Sequence, residues 1–94
     1  MRPQTVLIVD DEPDIRRVVG EILRDEGLHI ETAENADVAR EKYRKHSPDL
    51  VLVDIWMPDT DGVTLLKEWK TEEDPPPIVM ISGHGNVETA VESV

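Results

Sequence analysis

Three carboxylates and one hydroxyl follow short apolar runs, and these groups could together hold a hard cation and a phosphoryl group. Asp10 and Asp11 follow the first run, Asp54 follows the second, and Ser82 follows the third. A carboxylate that faces a metal-bound phosphate can attack it in line and form an acyl phosphate. A hydroxyl such as that of Ser82, helped by the backbone amide of Gly83, can donate a hydrogen bond to a phosphoryl oxygen.

The three apolar runs explain how these groups could meet. Uninterrupted apolar runs bounded by turn residues are typical of strands buried on both faces, in a parallel sheet covered by helices. Ligands of such sheets bind just outside the carboxyl ends of the strands. Mg²⁺ prefers oxygen ligands, so Asp11 and Asp54 could bind it directly while Asp10 acts through water; Mn²⁺ could replace it. Without a cation, the crowded carboxylates would repel one another and bind protons more tightly.

Strands and helices alternate along the chain. We expect strands at about residues 5–9, 28–32, 50–53 and 78–81. The first helix carries an apolar stripe at i, i+3, i+4, i+7 and i+8, formed by Ile15, Val18, Val19, Ile22 and Leu23. Gly27 should end this helix in a left-handed conformation, and Asn35 should cap the second helix.

Two further helices complete the predicted pattern. The third helix should carry an apolar stripe formed by Val63, Leu66 and Trp69, and residues 75–77, all proline, should lead into the fourth strand. A fourth helix is expected from Asn86, with an apolar stripe formed by Val87, Ala90, Val91 and Val94. Four strand–helix repeats predict an α/β doubly wound parallel sheet with right-handed crossovers.

Composition excludes several classes of function. With 94 residues the chain forms at most one small domain, and its net charge of −11 argues against electrostatic binding to nucleic acid or an anionic membrane. The absence of cysteine excludes a disulfide framework and a thiolate metal site. His29, His46 and His84 are scattered along the sequence, and we expect none of them to be a metal ligand. We predict a soluble, cytoplasmic, acidic domain.

Three motifs resemble the receiver domain of two-component response regulators. They are residues 6–12, 54–62 and 79–83, and their spacing matches that family over essentially all 94 residues. Residues 81–91 are most similar to NtrC-type transcription activators, in particular the NtrX-like branch. The resemblance implies a flavodoxin-like fold with strand order 2-1-3-4.

The resemblance also implies a role for each site residue. A sensor histidine kinase would pass a phosphoryl group from a phosphohistidine to Asp54, and the chain would be a phosphoacceptor rather than an enzyme. Mg²⁺ would be held by Asp10, Asp11, Asp54 and the main-chain carbonyl of Trp56. Ser82 would be the switch hydroxyl. Bulky rings at Trp56 and His84 would slow the attack of water on the acyl phosphate.

One departure from the family pattern concerns the fifth strand and fifth helix. Receiver domains have a fifth strand that ends in lysine and proline, and residues 1–94 contain neither this strand nor the helix after it. We therefore expect a C-terminally truncated domain whose fourth strand is a sheet edge and whose first-helix stripe is partly exposed. Such a chain would be weakly stable as a monomer, or would form a homodimer through that face or by exchanging elements.

Two alternative functions stay open. Without the lysine, the chain could be a fragment that cannot switch and serves only in binding or dimerisation. A phosphatase of the haloacid dehalogenase type is less favoured. Asp59 and Asp61 imitate its Asp-x-Asp-Gly signature, but the preceding strand ends at Asp54 and Met57-Pro58 separates it from the signature.

Overall fold

The structure is a computed structural model that describes residues 3–54, 62–81 and 87–89. Its elements are β1 (Thr5–Val9), α1 (Pro13–Asp25), β2 (His29–Ala33), α2 (Ala36–His46), β3 (Leu50–Asp54), α3 (Gly62–Lys70), β4 (Ile78–Ile81) and β5 (Val87–Thr89). None of the helices in these ranges is long and apolar enough to cross a membrane.

The strands form one sheet in the order β2-β1-β3-β4-β5. The first four strands are parallel, which confirms the α/β class and the predicted order 2-1-3-4. In the central pair, Val9 is the register partner of Val53. Each parallel connection passes through a helix, so all four carboxyl ends lie at one edge of the sheet.

The prediction of a helix from Asn86 is wrong for the described residues of that segment. Val87–Thr89 is a strand, antiparallel to β4, that pairs Thr89 with Val79 and Val87 with Ile81. Two β-branched residues favour extended backbone, and pairing satisfies the edge amides and carbonyls of β4. The expectation that β4 would be a bare sheet edge is therefore wrong as well.

The two faces of the sheet are covered unequally. The larger core cluster lies on the α2 and α3 face and includes Leu7, Val9, Ala33, Ala39, Tyr43, Val51, Val53, Leu65, Trp69, Ile78 and Met80. On the opposite face, α1 covers only Val6, Ile8 and Ile30 as fully buried residues. Leu50, Leu52, Val79 and Ile81 face that side and remain partly exposed.

The outer side of α1 is exposed, as predicted. Val19 and Leu23 pack against the sheet, whereas Ile15, Val18 and Ile22 are 37%, 43% and 58% exposed. These three residues lie at i, i+3 and i+7 and form one apolar stripe.

The predicted helix ends are confirmed. Pro13 occupies the first turn of α1, and Gly27 follows the helix with φ of 85°. At the start of α2, the Val38 amide donates to Asn35 Oδ1 at 2.9 Å. Ser47 ends this helix in the left-handed region, with φ of 46°.

The buried face of helix α3 is shifted from the predicted stripe, of which Trp69 and Leu66 contact the core and Val63 does not. Leu65 and Trp69 are buried at i and i+4, whereas Val63 is 40% exposed and Leu66 is half-buried. The ring of Trp69 stacks on Tyr43 of α2, with centroids 4.5 Å apart and an interplanar angle of 5°. This stack fixes the rotation of α3, and it confirms Trp69 as a packing residue.

Candidate functional site

Asp10 and Asp54 extend register-matched neighbouring strands, which places both carboxylates at one edge of the sheet. Val9 pairs with Val53, Asp54 is the last residue of β3, and Asp10 comes directly after β1. Both are buried, with 3% and 4% exposure, whereas Asp11 is accessible to solvent. Carboxylate oxygens of the three residues lie within 4.8 Å of one another. The structure therefore brings together the three carboxylates that the sequence singled out.

The backbone around Asp10 holds its carboxylate in place. The Glu12 amide donates to Asp10 Oδ1 at 2.9 Å, and the Asp10 amide donates to the Ala33 carbonyl at 3.0 Å. The Arg16 Nη1 donates to the Asp10 carbonyl oxygen at 2.7 Å. Asp10 is thus fixed from its own turn, from β2 and from the first part of α1.

Arg16 is a site residue that the sequence analysis missed. It lies six positions after Asp10, on the polar side of the first helix, and nothing in the hydrophobic pattern marks it. The available signal was the position of Arg16, a cationic residue one helical turn after the acidic residues 10–12. Because Arg16 binds the backbone carbonyl of Asp10 rather than a carboxylate, it helps to position Asp10 and leaves the carboxylate oxygens available to a cation.

Burial and neighbouring charge perturb the acidity of Asp10. Burial, the interaction with Asp54 and the charge of Asp11 together raise the pKa of Asp10 to about 6, against the lowering effect of the hydrogen bond from the Glu12 amide. The repulsion predicted from the sequence is therefore present in the folded protein. A pair of carboxylates held together at this cost is suited to bind a cation.

The donor set fits a hard divalent cation. Three carboxylates offer oxygen ligands within 4.8 Å of one another, and Asp11 leaves the cluster accessible from solvent. Mg²⁺ binds one or two carboxylates and keeps several waters, which such a half-open cluster allows. The residues that are present are compatible with the cation that the sequence predicted.

The other predicted site residues lie outside the described residues. These are Trp56, Asp59, Asp61, Ser82, Gly83 and His84. The strand that leads to Ser82 is described, and its last residue, Ile81, is the register partner of Asp54.

A cleft of about 600 Å³ lies away from the cluster formed by Asp10, Asp11 and Asp54. Its lining includes Tyr43, Glu72 and residues 47–49 and 75–77, which precede β3 and β4. Because the strands are parallel, the amino ends and the carboxylates lie at opposite edges of the sheet. The cleft is therefore not part of the carboxylate site.

Comparison with known proteins gives consistent results. Residues 6–94 match the response regulator receiver domain family. The chain is 48% identical over 91 residues to the nitrogen assimilation regulatory protein NtrX of Azorhizobium caulinodans, covering 95% of this chain and 20% of that protein. It therefore spans about a fifth of the length of this relative.

Solved structures agree with this match. The receiver domain of NtrX from Brucella abortus is 49% identical with a TM-score of 0.80, covering 94% of this chain and 75% of that one. The beryllofluoride-activated NtrC4 receiver domain dimer is 37% identical with a TM-score of 0.78, covering 95% and 74%. The predicted NtrX-like branch is confirmed.

Proposed function

Because this chain belongs to the response regulator receiver domain family, whose members are phosphoacceptors of two-component signalling, we propose that Asp54 is its phosphorylated residue. The observation that carries this proposal is the position of Asp54. It is buried at the carboxyl end of the central strand β3, with Asp10 and Asp11 beside it. A carboxylate on a rigid strand end is well oriented for in-line attack.

The transfer follows from the chemistry of a phosphohistidine donor. A carboxylate oxygen of Asp54 attacks the phosphorus atom while the phosphorus–nitrogen bond breaks. The new oxygen–phosphorus bond makes an acyl phosphate, and the leaving imidazole takes up a proton. The sheet holds the Asp54 carboxylate in place, so little reorganisation is needed at the moment of attack.

Asp10, Asp11, Asp54 and the main-chain carbonyl of Trp56 would hold Mg²⁺, or Mn²⁺ in its place. When bound, the cation supplies positive charge that neutralises the carboxylates and the phosphoryl oxygens. The raised pKa of Asp10 supports this proposal, since burial and the nearby carboxylates of Asp54 and Asp11 disfavour its ionised form, which a bound cation would stabilise. Ser82 and the Gly83 amide would donate hydrogen bonds to the phosphoryl group. Trp56 and His84 would restrict the access of water to it.

The signalling role rests on the same site. We propose that a sensor histidine kinase phosphorylates this domain in the cytoplasm, and that phosphorylation controls a transcriptional output domain. The chain would act as a phosphoacceptor with slow self-dephosphorylation, without contacting nucleic acid itself. Its net charge of −11 supports the last point.

We also propose that the domain forms a homodimer through the partly covered face of the sheet. This face combines the exposed stripe of α1 with Leu52 and Val79, which are only half-buried. The NtrC4 receiver domain forms a dimer in its beryllofluoride-activated state.

The proposal is tested by intact mass spectrometry after incubation with Mg²⁺ and acetyl phosphate. We expect the protein to gain one phosphoryl group, and the gain to disappear in EDTA and in Asp54→Asn. Asp59→Asn is the matched control, because it also removes one carboxylate, and it should be phosphorylated normally. Loss of the gain in Asp59→Asn with retention in Asp54→Asn would contradict the proposal and favour the phosphatase alternative.

A further inference from the structure

A second group of potential metal ligands lies on the outer strand β2, far from the carboxylate cluster. His29 and Glu31 are two residues apart in β2, so their side chains lie on the same face of the sheet. His46, the last residue of α2, reaches the same place. His29 pairs with Thr5, five residues before Asp10, which corresponds to about 16 Å along the strand.

The ligand atoms of these three residues already converge. His29 Nε2 lies 2.7 Å from Glu31 Oε2, and His46 Nε2 lies 3.5 Å from Glu31 Oε1. The two imidazole rings are 6.2 Å apart, and one ligand atom from each residue lies within 4.8 Å of the others. These separations require only small side-chain rotations to place three donors at about 2.0–2.2 Å from one ion.

We propose that His29, Glu31 and His46 form a binding site for a divalent transition-metal ion of the Zn²⁺ class. Two imidazole nitrogens and one carboxylate are a donor set that zinc uses, with water in the fourth position. Mg²⁺ prefers an all-oxygen set and should not compete effectively for two imidazoles. The carboxyl end of α2 adds favourable charge, since a cation near a helix C-terminus interacts with the helix dipole.

Accessibility and pre-organisation also favour the site. The side chain of Glu31 is 17% exposed, and those of His46 and His29 are 28% and 50% exposed. An ion can therefore enter from solvent while the carboxylate remains largely enclosed. The prediction that neither His29 nor His46 is a metal ligand depended on their distance in sequence, which the β2–α2 packing removes.

Lys42 competes with the metal ion for the carboxylate of Glu31. Its Nζ lies 3.4 Å from Glu31 Oε1, one helical turn before His46. An ammonium at this position satisfies part of the negative charge that the ion would neutralise. Its side chain is 34% exposed, so it can swing into solvent when the ion binds. Removal of Lys42 should therefore strengthen metal binding at this site.

The experiment titrates tag-free protein with Zn²⁺ by calorimetry, with excess Mg²⁺ present to saturate the carboxylate cluster. We expect one site, lost or weakened in His29→Gln, Glu31→Gln and His46→Gln by more than the roughly tenfold to hundredfold that an outer-shell partner costs. Lys42→Met should bind more tightly than the unaltered protein. Glu41→Gln, which removes an exposed charge from the same helix, should leave the affinity unchanged.

Nuclear magnetic resonance of the imidazole nitrogens identifies the ligands directly. Zinc should shift the Nε2 resonances of His29 and His46 and leave their Nδ1 atoms protonated, with the His84 ring unaffected. The amide spectrum of each variant confirms that it is folded. Zinc affinity unchanged by His29→Gln and His46→Gln, or no saturable binding even in Lys42→Met, would overturn the proposal.

Discussion

Asp10 and Asp54 lie side by side at the carboxyl ends of the neighbouring strands β1 and β3, because the residues before them, Val9 and Val53, are register partners. Parallel register therefore brings two buried carboxylates to adjacent positions. The pKa of Asp10 rises to about 6, first because it is buried and then because Asp54 and Asp11 lie near it. The site is thus assembled at a cost to the stability of the cation-free protein.

This cost predicts that Asp10→Asn stabilises the protein in EDTA. As pH rises from 3.8 to about 6, the unfolded chain releases the Asp10 proton while the folded protein still holds it. The free energy of unfolding therefore falls across this window and stays reduced above it, by on the order of 1–3 kcal/mol. Asparagine removes the loss, so the variant should gain stability at neutral pH while its Mg²⁺ affinity falls.

Urea unfolding in EDTA at a series of pH values measures this effect. Asp25→Asn provides the control, since Asp25 is exposed at the end of α1 and should change the stability little. A destabilised Asp10→Asn protein at neutral pH would show that the carboxylate is held by favourable interactions instead.

The single tyrosine provides a second test of the fold. Burial raises the pKa of Tyr43 above its ordinary value of 10.0, and the hydrogen bond that its hydroxyl donates to Glu72 at 2.6 Å raises it further. Ultraviolet absorbance should show tyrosinate only above the usual range, with Glu72→Gln lowering the midpoint. Glu73→Gln, a neighbouring exposed carboxylate, should leave the midpoint in place. Titration at the ordinary value in the folded protein would contradict the packing of α2 on α3.

The rotation of α3 can be tested by comparing two apolar residues two positions apart. Leu65 is fully buried, so Leu65→Ala should cost about 2–5 kcal/mol. Val63 is 40% exposed, so Val63→Ala should change the free energy of unfolding by about 0.5 kcal/mol or less. Denaturant unfolding of both variants measures the difference. The reverse order would show that the stripe predicted from the sequence is the buried one.

The exposed stripe of α1 predicts self-association. The sedimentation coefficient should rise with protein concentration, because burying this stripe and the half-buried sheet residues beside it removes apolar surface from water. A double variant, Val18→Gln with Ile22→Gln, should sediment as a monomer at all concentrations. Val63→Gln matches the exposure of Val18 on another helix and should associate normally. Concentration-independent sedimentation of the unaltered protein would exclude this interface.

The sequence predicted the four parallel strands and three carboxylates well because each left a local signal. Runs of four apolar residues identified β1, β3 and β4, and Pro13, Gly27 and Asn35 identified helix ends. The order of strand–helix repeats then placed the carboxyl ends at one edge. These features depend on residues that are close together in the sequence, so they can be predicted without knowledge of tertiary contacts.

The errors came from pairing and packing contacts that the periodicity of the sequence does not record. Val87 fits the predicted helical stripe as well as a strand, and the pairing of Val87–Thr89 with the β4 edge decided between them. In α3, the stack of Trp69 on Tyr43 buries Leu65 rather than Val63. The grouping of His29 and His46 at Glu31 is a separate case: it left no signal in the sequence, because it depends on the packing of α2 on β2.

Locating the phosphoryl group on the protein tests directly whether Asp54 is the phosphorylated residue. After treatment with Mg²⁺ and acetyl phosphate, borohydride reduces an aspartyl phosphate to homoserine, and peptide mass mapping identifies the reduced position. We expect homoserine at residue 54, absent when Mg²⁺ is omitted. Homoserine at residue 10, 11, 59 or 61, or at none after phosphoryl gain, would contradict the assignment of Asp54 as the phosphoacceptor.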